Sequence, residues 1–170
     1  MILPSEALNR EFVLDEDTLG QLVLDSEFAT ITTHAVLVGD IGLLLPVGEV
    51  SELVDHLPVC KLPNTPGWFS GVISLRGNIT PLFDLHELFG VAVTARKRRM
   101  IVVGSGDTAV SFWVDDMPRM VTLGVDDDVE GDPPLPDFVR THASRFFLKD
   151  GQIWIDWDVK QFFTALGKLL

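Results

Sequence analysis

Short apolar runs recur along the chain from Ala29 onward, and most of them have the length and composition of β-strands. Val, Ile, Phe and Thr fill these runs, and Gly and Pro separate them at fairly regular intervals. This pattern favours short strands joined by turns. The predicted strands cover residues 31–38, 41–47, 71–75, 79–83, 100–103, 109–114, 146–148 and 152–157.

Turn residues between these runs predict three antiparallel hairpins. Gly39-Asp40 separates the first two strands, Arg76-Gly77-Asn78 separates the central pair, and Asp150-Gly151 separates the last pair. Glycine tolerates the positive φ that tight turns require. Pro81 lacks a backbone N–H, so we expect it at a sheet edge or a bulge.

Two segments predict helices, one segment fits either a strand or a helix, and two segments predict loops. Asp84 and Gly90 have the residue types of an N-cap and a C-terminal stop around a short helix. Asp158 opens a C-terminal helix whose apolar face holds Val159, Phe162, Phe163, Leu166 and Leu169 or Leu170. Residues 50–57 fit either a strand or a short helix. Residues 58–66 and 126–136 are Pro-rich or acidic and predict loops. With no alternation of strands and helices, the whole predicts a small barrel architecture.

Charge and cysteine content restrict the class of protein. The formal net charge is −12, which argues against binding to nucleic acid or to anionic lipid. The basic run 96–99 is better explained as a solvated loop. The single Cys60 fits a reducing compartment. Residues 1–6 lack the basic region and following apolar stretch of a signal peptide, and no apolar run approaches the ~20 residues that span a bilayer. We therefore expect a cytoplasmic protein without direct membrane insertion.

Candidate chemistry is sparse in the sequence. Paired aspartates at 15–17 and 126–132 are the residue type that glycoside chemistry uses, but unpatterned aspartates in loops are usually solvated. A small β-barrel hydrolase, or a ligand-binding barrel that uses Asp or Glu residues, remains the alternative reading. The histidines show no metal-binding spacing, so we expect neither a metal nor a cofactor; they are His34, His56, His86 and His142.

Five linked motifs between Leu45 and Gly90 resemble the CheW family of chemotaxis coupling proteins. They are Leu-Pro-Val at 45–47, Val-Ser-Glu at 50–52, Leu-Pro-Asn-Thr-Pro at 62–66, Gly-Val-Ile-Ser-Leu-Arg-Gly at 71–77 and Pro-Leu-Phe-Asp-Leu at 81–85. Their order and spacing make the resemblance specific. Weaker similarity extends over residues 29–166 and includes Val-Asp-Asp-Met at 114–117. Residues 1–28, an acidic extension, are not covered, which divides the chain into this extension and a CheW-like domain at 29–170.

The resemblance implies a mainly β fold of two SH3-like five-stranded barrels that share a core. It also implies a non-enzymatic adaptor that joins the cytoplasmic tip of methyl-accepting chemoreceptors to the regulatory domain of a CheA-type histidine kinase. The adaptor is then recruited to membrane-associated receptor arrays. The chain departs from many members at Gly42-Leu43-Leu44 and at 154–158. Such departures are typical of the PilI-like members that serve type IV pilus twitching motility, so flagellar chemotaxis and twitching motility both stay open.

The same resemblance assigns a partner-binding surface. Arg76 matches the family arginine implicated in coupling, and Glu52 matches an acidic residue of that surface. We expect these two side chains to pair and hold each other in place. The full set of predicted contact residues is Val50, Glu52, Asn64, Pro66, Leu75, Arg76 and Gly77.

Overall fold

The computed structural model describes residues 29–49, 51–131 and 133–170, and within them ten strands and three α-helices. Two single 3₁₀ turns lie at Gly106–Thr108 and Val125–Asp127. The helices are α1 (Leu85–Phe89), α2 (Asp137–His142) and α3 (Val159–Gly167). The strands are β1 (Thr30–Val38), β2 (Ile41–Leu44), β3 (Ser51–Val54), β4 (Phe69–Leu75), β5 (Asn78–Phe83), β6 (Arg99–Val103), β7 (Val110–Val114), β8 (Arg119–Gly124), β9 (Ala143–Lys149) and β10 (Gln152–Trp157).

The strands form two five-stranded sheets with the same internal plan. The first sheet has the order β8-β1-β2-β10-β9 and the second has the order β3-β6-β7-β5-β4. In each sheet the successive pairings are antiparallel, antiparallel, parallel and antiparallel. The prediction of a mainly β fold with two SH3-like five-stranded subdomains is therefore confirmed.

One hydrophobic core lies between the two sheets and is completed by α3. Leu43 and Ile155 enter it from the first sheet, and Phe112 enters it from the second. Phe163 of α3 packs on both the Phe83 ring, at 4.9 Å between centroids, and the Phe112 ring, at 5.6 Å. The aromatic side chains buried between the sheets thus belong to a core that both subdomains share.

Both predicted helices are present and begin at the predicted caps. The Asp84 carboxylate accepts hydrogen bonds from two backbone N–H groups of α1, and Gly90 ends the helix with φ 66°. The Asp158 carboxylate accepts from the Gln161 N–H at 2.9 Å. The buried face of α3 is Val159, Phe162, Phe163 and Leu166, as expected. The expectation for Leu169 or Leu170 was wrong, because α3 ends at Gly167 and both leucines are exposed.

Single bridges pair the outer strand of each sheet with a neighbouring loop. In the second sheet, Cys60 and Val72 of β4 exchange two backbone hydrogen bonds of 2.9 Å. Gly71 makes this approach possible, because a Cβ at its φ of 129° would lie 2.2 Å from the Cys60 carbonyl oxygen. In the first sheet, Asp128 forms the corresponding bridge to Phe147 of β9.

Pro81 does not lie at a sheet edge, because β5 lies between β7 and β4. The other expectation, a bulge, has a counterpart nearby: the register shifts between Phe69 and Gly71, opposite Leu82 and Phe83. The partner of Pro81 on β4 is Val72, whose backbone N–H and C=O form their hydrogen bonds with Cys60 and not with Pro81. Val72 and Pro81 are therefore a pair without mutual hydrogen bonds, so β4 requires no N–H from Pro81. The parallel ladder to β7 begins one residue later, at Leu82. An interior strand thus accepts a proline at this one position.

The remaining differences concern weak patterns. The ambiguous stretch 50–57 contains the strand β3, and the second strand ends at Leu44 rather than at residue 47. Asn78 belongs to β5, so the central turn has two residues. Neither β8 nor α2 was predicted: much of β8 is exposed, and α2 follows directly on the Pro-rich loop. No helix among the described residues is long and apolar enough to cross a membrane.

Candidate partner-binding surface

The β4–β5 hairpin presents Arg76 at its tip in a rare backbone conformation. Leu75 pairs with Asn78, which leaves Arg76 and Gly77 as a two-residue loop with φ of 51° and 83°. Two positive φ angles are the requirement of a type I′ turn. Glycine adopts this conformation readily, whereas a side chain such as arginine costs about 1 kcal/mol there. An arginine kept at such a position points to a role other than stability.

Arg76 forms the predicted ion pair with Glu52. Its Nη2 donates a hydrogen bond of 2.8 Å to Glu52 Oε1 on β3, the far edge strand of the same sheet. The Arg76 side chain is 75% exposed and the Glu52 side chain is 32% exposed. One edge of the guanidinium is therefore fixed by the carboxylate, while the rest of it remains open to a partner.

A shallow cavity of about 160 Å³ lies beside this ion pair. Glu52, Leu75 and Arg76 line it together with the backbone around Gly104. Ile79, one residue into β5 from the turn, is 67% exposed and was not predicted to belong to this surface. An open guanidinium next to exposed apolar area is the composition of a protein interface core.

The loop residues Asn64 and Pro66 lie apart from Arg76. The Pro66 carbonyl accepts the Phe69 N–H at 3.0 Å, so the loop adjoins the start of β4, whereas Arg76 follows its end. The length of β4 separates the two positions by about 20 Å. Asn64 has a φ of 59°, which indicates a tight turn. The predicted set thus occupies two surfaces, and Val50 lies outside the described residues.

A buried ionic cluster that was not predicted from the sequence surrounds His86 of α1. The imidazole is 3% exposed; its Nε2 lies 2.9 Å from Asp115 Oδ1, and its Nδ1 lies 3.5 Å from Asp84 Oδ1. Asp84 Oδ2 accepts a 2.6 Å hydrogen bond from Arg98, whose guanidinium lies 5.0 Å from the centre of the Trp113 ring. Two carboxylates therefore face one imidazole in the interior.

Asp115 also connects the two sheets. It follows β7 of the second sheet, and its Oδ2 accepts the N–H of Gly39, in the β1–β2 turn of the first sheet, at 2.9 Å. The same oxygen accepts from the Thr94 hydroxyl at 2.8 Å. Its backbone N–H donates to the Leu37 carbonyl of β1 at 2.9 Å. In the sequence, Asp115 stood out only as part of the segment at 114–117 that resembles the family, and nothing indicated its contacts with His86 and Gly39.

The charges of this cluster are set by its contacts. Burial would raise the pKa of Asp84 and of Asp115. The His86 imidazole beside both carboxylates, the hydrogen bond from Arg98 to Asp84 and the hydrogen bonds from Thr94 to Asp115 hold each pKa below its ordinary value. Burial would lower the pKa of His86, but the two carboxylates raise it. A general acid requires a carboxyl pKa raised toward neutrality, so the shifts at these aspartates run against acid catalysis here. The contacts of the cluster join α1 to the end of β7 and to the β1–β2 turn.

No group of three or more His, Cys, Asp or Glu side chains among the described residues is arranged to hold a metal ion. The expectation of no metal and no cofactor remains a prediction. The Arg76 surface itself offers an exposed guanidinium and exposed apolar area, a combination that suits recognition of another protein.

Comparison with known proteins relates the chain to one family. The model of the CheW-like domain family matches residues 35–166. The "Chemotaxis protein CheW" of Helicobacter pylori is 28% identical over 89 residues, 51% of this chain and 54% of that protein. The "Protein PilI" of Pseudomonas aeruginosa is 33% identical over 112 residues, 65% of this chain and 62% of that protein.

The chain therefore spans little more than half of these two curated relatives. Among solved structures, the scaffolding protein TtCheW from Thermoanaerobacter tengcongensis has a TM-score of 0.63 and 22% sequence identity. This match covers 79% of the present chain and 88% of that chain. A structural likeness at this identity supports the same fold.

Proposed function

Because this chain belongs to the CheW-like family, we propose that it is a non-enzymatic adaptor that couples chemoreceptors to a CheA-type histidine kinase. Its partners are the regulatory domain of the kinase and the cytoplasmic tip of methyl-accepting chemoreceptors. It acts in the cytoplasm, at membrane-associated receptor arrays. By binding both partners through separate surfaces, the adaptor raises the effective concentration of kinase at the receptor. This activity requires no bond-making step, only two accessible surfaces on one rigid body.

The observation that carries the proposal is the Arg76–Glu52 pair on the hairpin tip. A planar guanidinium is a frequent anchor of protein interfaces, because it makes several directed hydrogen bonds at once. Glu52 fixes the orientation of this guanidinium at 2.8 Å and leaves most of it exposed. The two side chains are thus expected to act on a partner as a unit with the neighbouring Leu75 and Gly77.

A double-mutant cycle on binding to the kinase regulatory domain tests this role. We expect Arg76→Ala to weaken binding at least tenfold, about 1.4 kcal/mol. Glu52→Ala is expected to weaken binding through loss of the guanidinium orientation. The double variant is then no weaker than Arg76→Ala alone, which gives a coupling energy of about 1 kcal/mol. Strictly additive effects would reject the pair as a unit.

The Asp137–Arg140 pair on α2 provides a matched control, because it is also a surface ion pair between an aspartate or glutamate and an arginine. Asp137→Ala and Arg140→Ala should leave kinase binding within about twofold of the unchanged chain. If these variants weaken binding as much as Arg76→Ala does, the effect reflects net charge and the assigned surface is wrong.

Coupling itself is tested by reconstitution of kinase, adaptor and a receptor signalling fragment. We expect the adaptor to co-sediment with both partners and to make kinase autophosphorylation depend on the receptor fragment. Binding to neither partner would overturn the proposal. In the source organism, deletion of the gene is expected to abolish directed swimming or twitching motility, and the defect identifies the pathway, since the relatives include a CheW and a PilI protein.

A further inference from the structure

A cationic patch lies immediately before β6 and includes its first residue, on a chain that is otherwise strongly acidic. Four consecutive basic residues occupy positions 96–99. Arg98 is bound to Asp84, and Arg99 Nε lies 3.1 Å from Asp55. Arg96 and Lys97 are exposed, and neither pairs with a carboxylate in the part of the chain that the structure describes. Two cations of this patch are therefore open to a ligand of opposite charge.

The patch borders a cleft that combines positive charge with apolar area. Arg98, the Trp113 ring, Lys61 and Leu62 line a cleft of about 430 Å³. Asp84 also lines it, and its carboxylate pairs with Arg98, so the open positive charge comes from Lys61 in the lining and from Arg96 and Lys97, which precede Arg98 in the chain. Lys61 is exposed, and Leu62 is 44% exposed. Such a cleft fits a segment in which carboxylates alternate with apolar side chains.

Residues 1–28 have this composition. They contain seven carboxylates and one arginine, so 1 − 7 gives a net charge of −6, half of the −12 of the whole chain. Leucine, valine and phenylalanine lie between the acidic groups, of which Asp15, Glu16 and Asp17 are consecutive. The carboxylates are Glu6, Glu11, Asp15, Glu16, Asp17, Asp25 and Glu27.

We propose that residues 1–28 bind the cationic cleft of their own chain, with carboxylates against Arg96, Lys97 and Lys61. Attachment to β1 makes the association intramolecular, at an effective concentration in the millimolar range for a short tether. Twenty-eight residues can span up to about 90 Å. The nine residues of β1 span about 30 Å, which gives the scale of the domain, so a segment attached to β1 is long enough to reach the cleft. The docked segment covers Pro66, which also lines this cleft.

The position of Cys60 allows a direct test. Cys60 is the single cysteine of the sequence, it is exposed, and it adjoins Lys61 at the cleft. A nitroxide attached to Cys60 of the full chain broadens the NMR signals of nearby amides. We expect broadening within residues 1–28. Raising the ionic strength from about 0.1 M to about 1 M shortens the Debye length from about 10 Å to about 3 Å. Because the attraction between the segment and the cleft is then screened, the broadening should be lost.

Charge reversal identifies the binding surface. Arg96→Glu with Lys97→Glu is expected to abolish the broadening, whereas Lys168→Glu, a charge reversal at an exposed lysine just after α3, should retain it. An unchanged amide spectrum for residues 29–170 establishes that each variant is folded. No broadening of residues 1–28, or broadening that survives the double reversal, would overturn the proposal.

A mixed sample separates this model from association between molecules. Isotope-labelled chain without nitroxide is combined with unlabelled chain that carries the nitroxide. We expect no broadening, because the segment and its cleft belong to one molecule. Broadening in the mixed sample would show exchange of the segment between two copies and contradict intramolecular docking.

Discussion

His86 Nε2 lies 2.9 Å from Asp115 Oδ1, in a contact that is almost completely buried. Asp115 in turn holds the β1–β2 turn through Gly39. The imidazole therefore stabilises a carboxylate on which the junction of the two sheets depends. This relationship makes the stability of the fold sensitive to the protonation of one side chain.

We expect the free energy of unfolding to be greatest at pH values between the ordinary pKa of aspartate and the ordinary pKa of histidine. The pKa of His86 is raised in the folded chain. Its contribution is therefore complete below the ordinary histidine pKa of about 6.5 and is lost as the pH rises through the folded value. The pKa values of Asp84 and Asp115 are lowered. Their contributions are complete above the ordinary aspartate pKa of about 3.9 and are lost as the pH falls through the folded values.

Urea unfolding across this pH range, in the unchanged chain and in His86→Gln, checks the assignment. Removing one partner of a buried ion pair should lower the free energy of unfolding by about 3 kcal/mol near neutral pH. In His86→Gln the decline above neutral pH should disappear. His142→Gln, at a histidine near the surface of α2, serves as the control. An equal alkaline decline in His86→Gln would show that another group is responsible.

The Arg76 turn predicts opposite effects on folding and on binding. Asparagine adopts positive φ more readily than arginine, so Arg76→Asn should stabilise the turn by about 1 kcal/mol. Loss of the exposed ion pair offsets part of this gain. The comparison is therefore made in a Glu52→Gln background, where the pair is already absent. Chemical denaturation in this background measures stability. Binding to the kinase regulatory domain is compared in the chain that keeps Glu52, where Arg76→Asn is expected to weaken it.

A less stable Arg76→Asn chain in the Glu52→Gln background would mean that arginine is not strained at this position. Unchanged kinase binding would separate the turn from the partner surface. Either result is decisive, because the substitution leaves Gly77, the other residue of the turn, in place.

Gly71 and Gly77 have positive φ for different reasons, and this difference is measurable. A Cβ at Gly71 would lie 2.2 Å from the Cys60 carbonyl oxygen, whereas a Cβ at Gly77 would have no heavy atom within 4 Å. We expect Gly77→Ala to cost about 1 kcal/mol through backbone conformation alone. Gly71→Ala should cost about 2 to 4 kcal/mol, because the bridge to Cys60 must open. Equal losses in urea denaturation would contradict the close approach.

Trp154 covers Gly42 on the adjacent strand. A Cβ at Gly42 would lie 2.3 Å from the indole ring. We expect Gly42→Ala to lower the free energy of unfolding by about 1 to 3 kcal/mol through overpacking. In a Trp154→Leu background the loss should be smaller, and the difference is the coupling energy of a double-mutant cycle. The same loss in both backgrounds would place the strain elsewhere.

Local patterns predicted most of the strands and both capped helices. Apolar runs bounded by Gly, Pro or Asp define strands such as β6 and β10, and the Asp158 cap defines the start of α3. The strand β8 lacks a clear apolar run, since Met120 is 68% exposed and the strand is recognisable only by its pairing with β1. Its existence depends on tertiary pairing, which a local pattern does not contain.

The candidate site divides in the same way. The Glu52–Arg76 pair was predicted because a family pattern places both residues at one surface. The His86 cluster was not predicted, since its contacts join residues far apart in sequence: His86 and Asp115 are 29 positions apart, and Gly39 and Asp115 are 76 apart. Histidine by itself gives no sign of such a partner. The ion pair itself is observed, but a role in partner binding stays a prediction for every residue of the set, namely Val50, Glu52, Asn64, Pro66, Leu75, Arg76 and Gly77.

The bridges of Cys60 to Val72 and of Asp128 to Phe147 have a consequence for molecules held side by side at high density. An exposed strand margin is a template on which a neighbouring chain can polymerise. Occupying part of that margin from within the molecule leaves fewer backbone groups for such growth. The two bridges thus disfavour edge-to-edge growth along β4 and β9 when copies of the chain are concentrated.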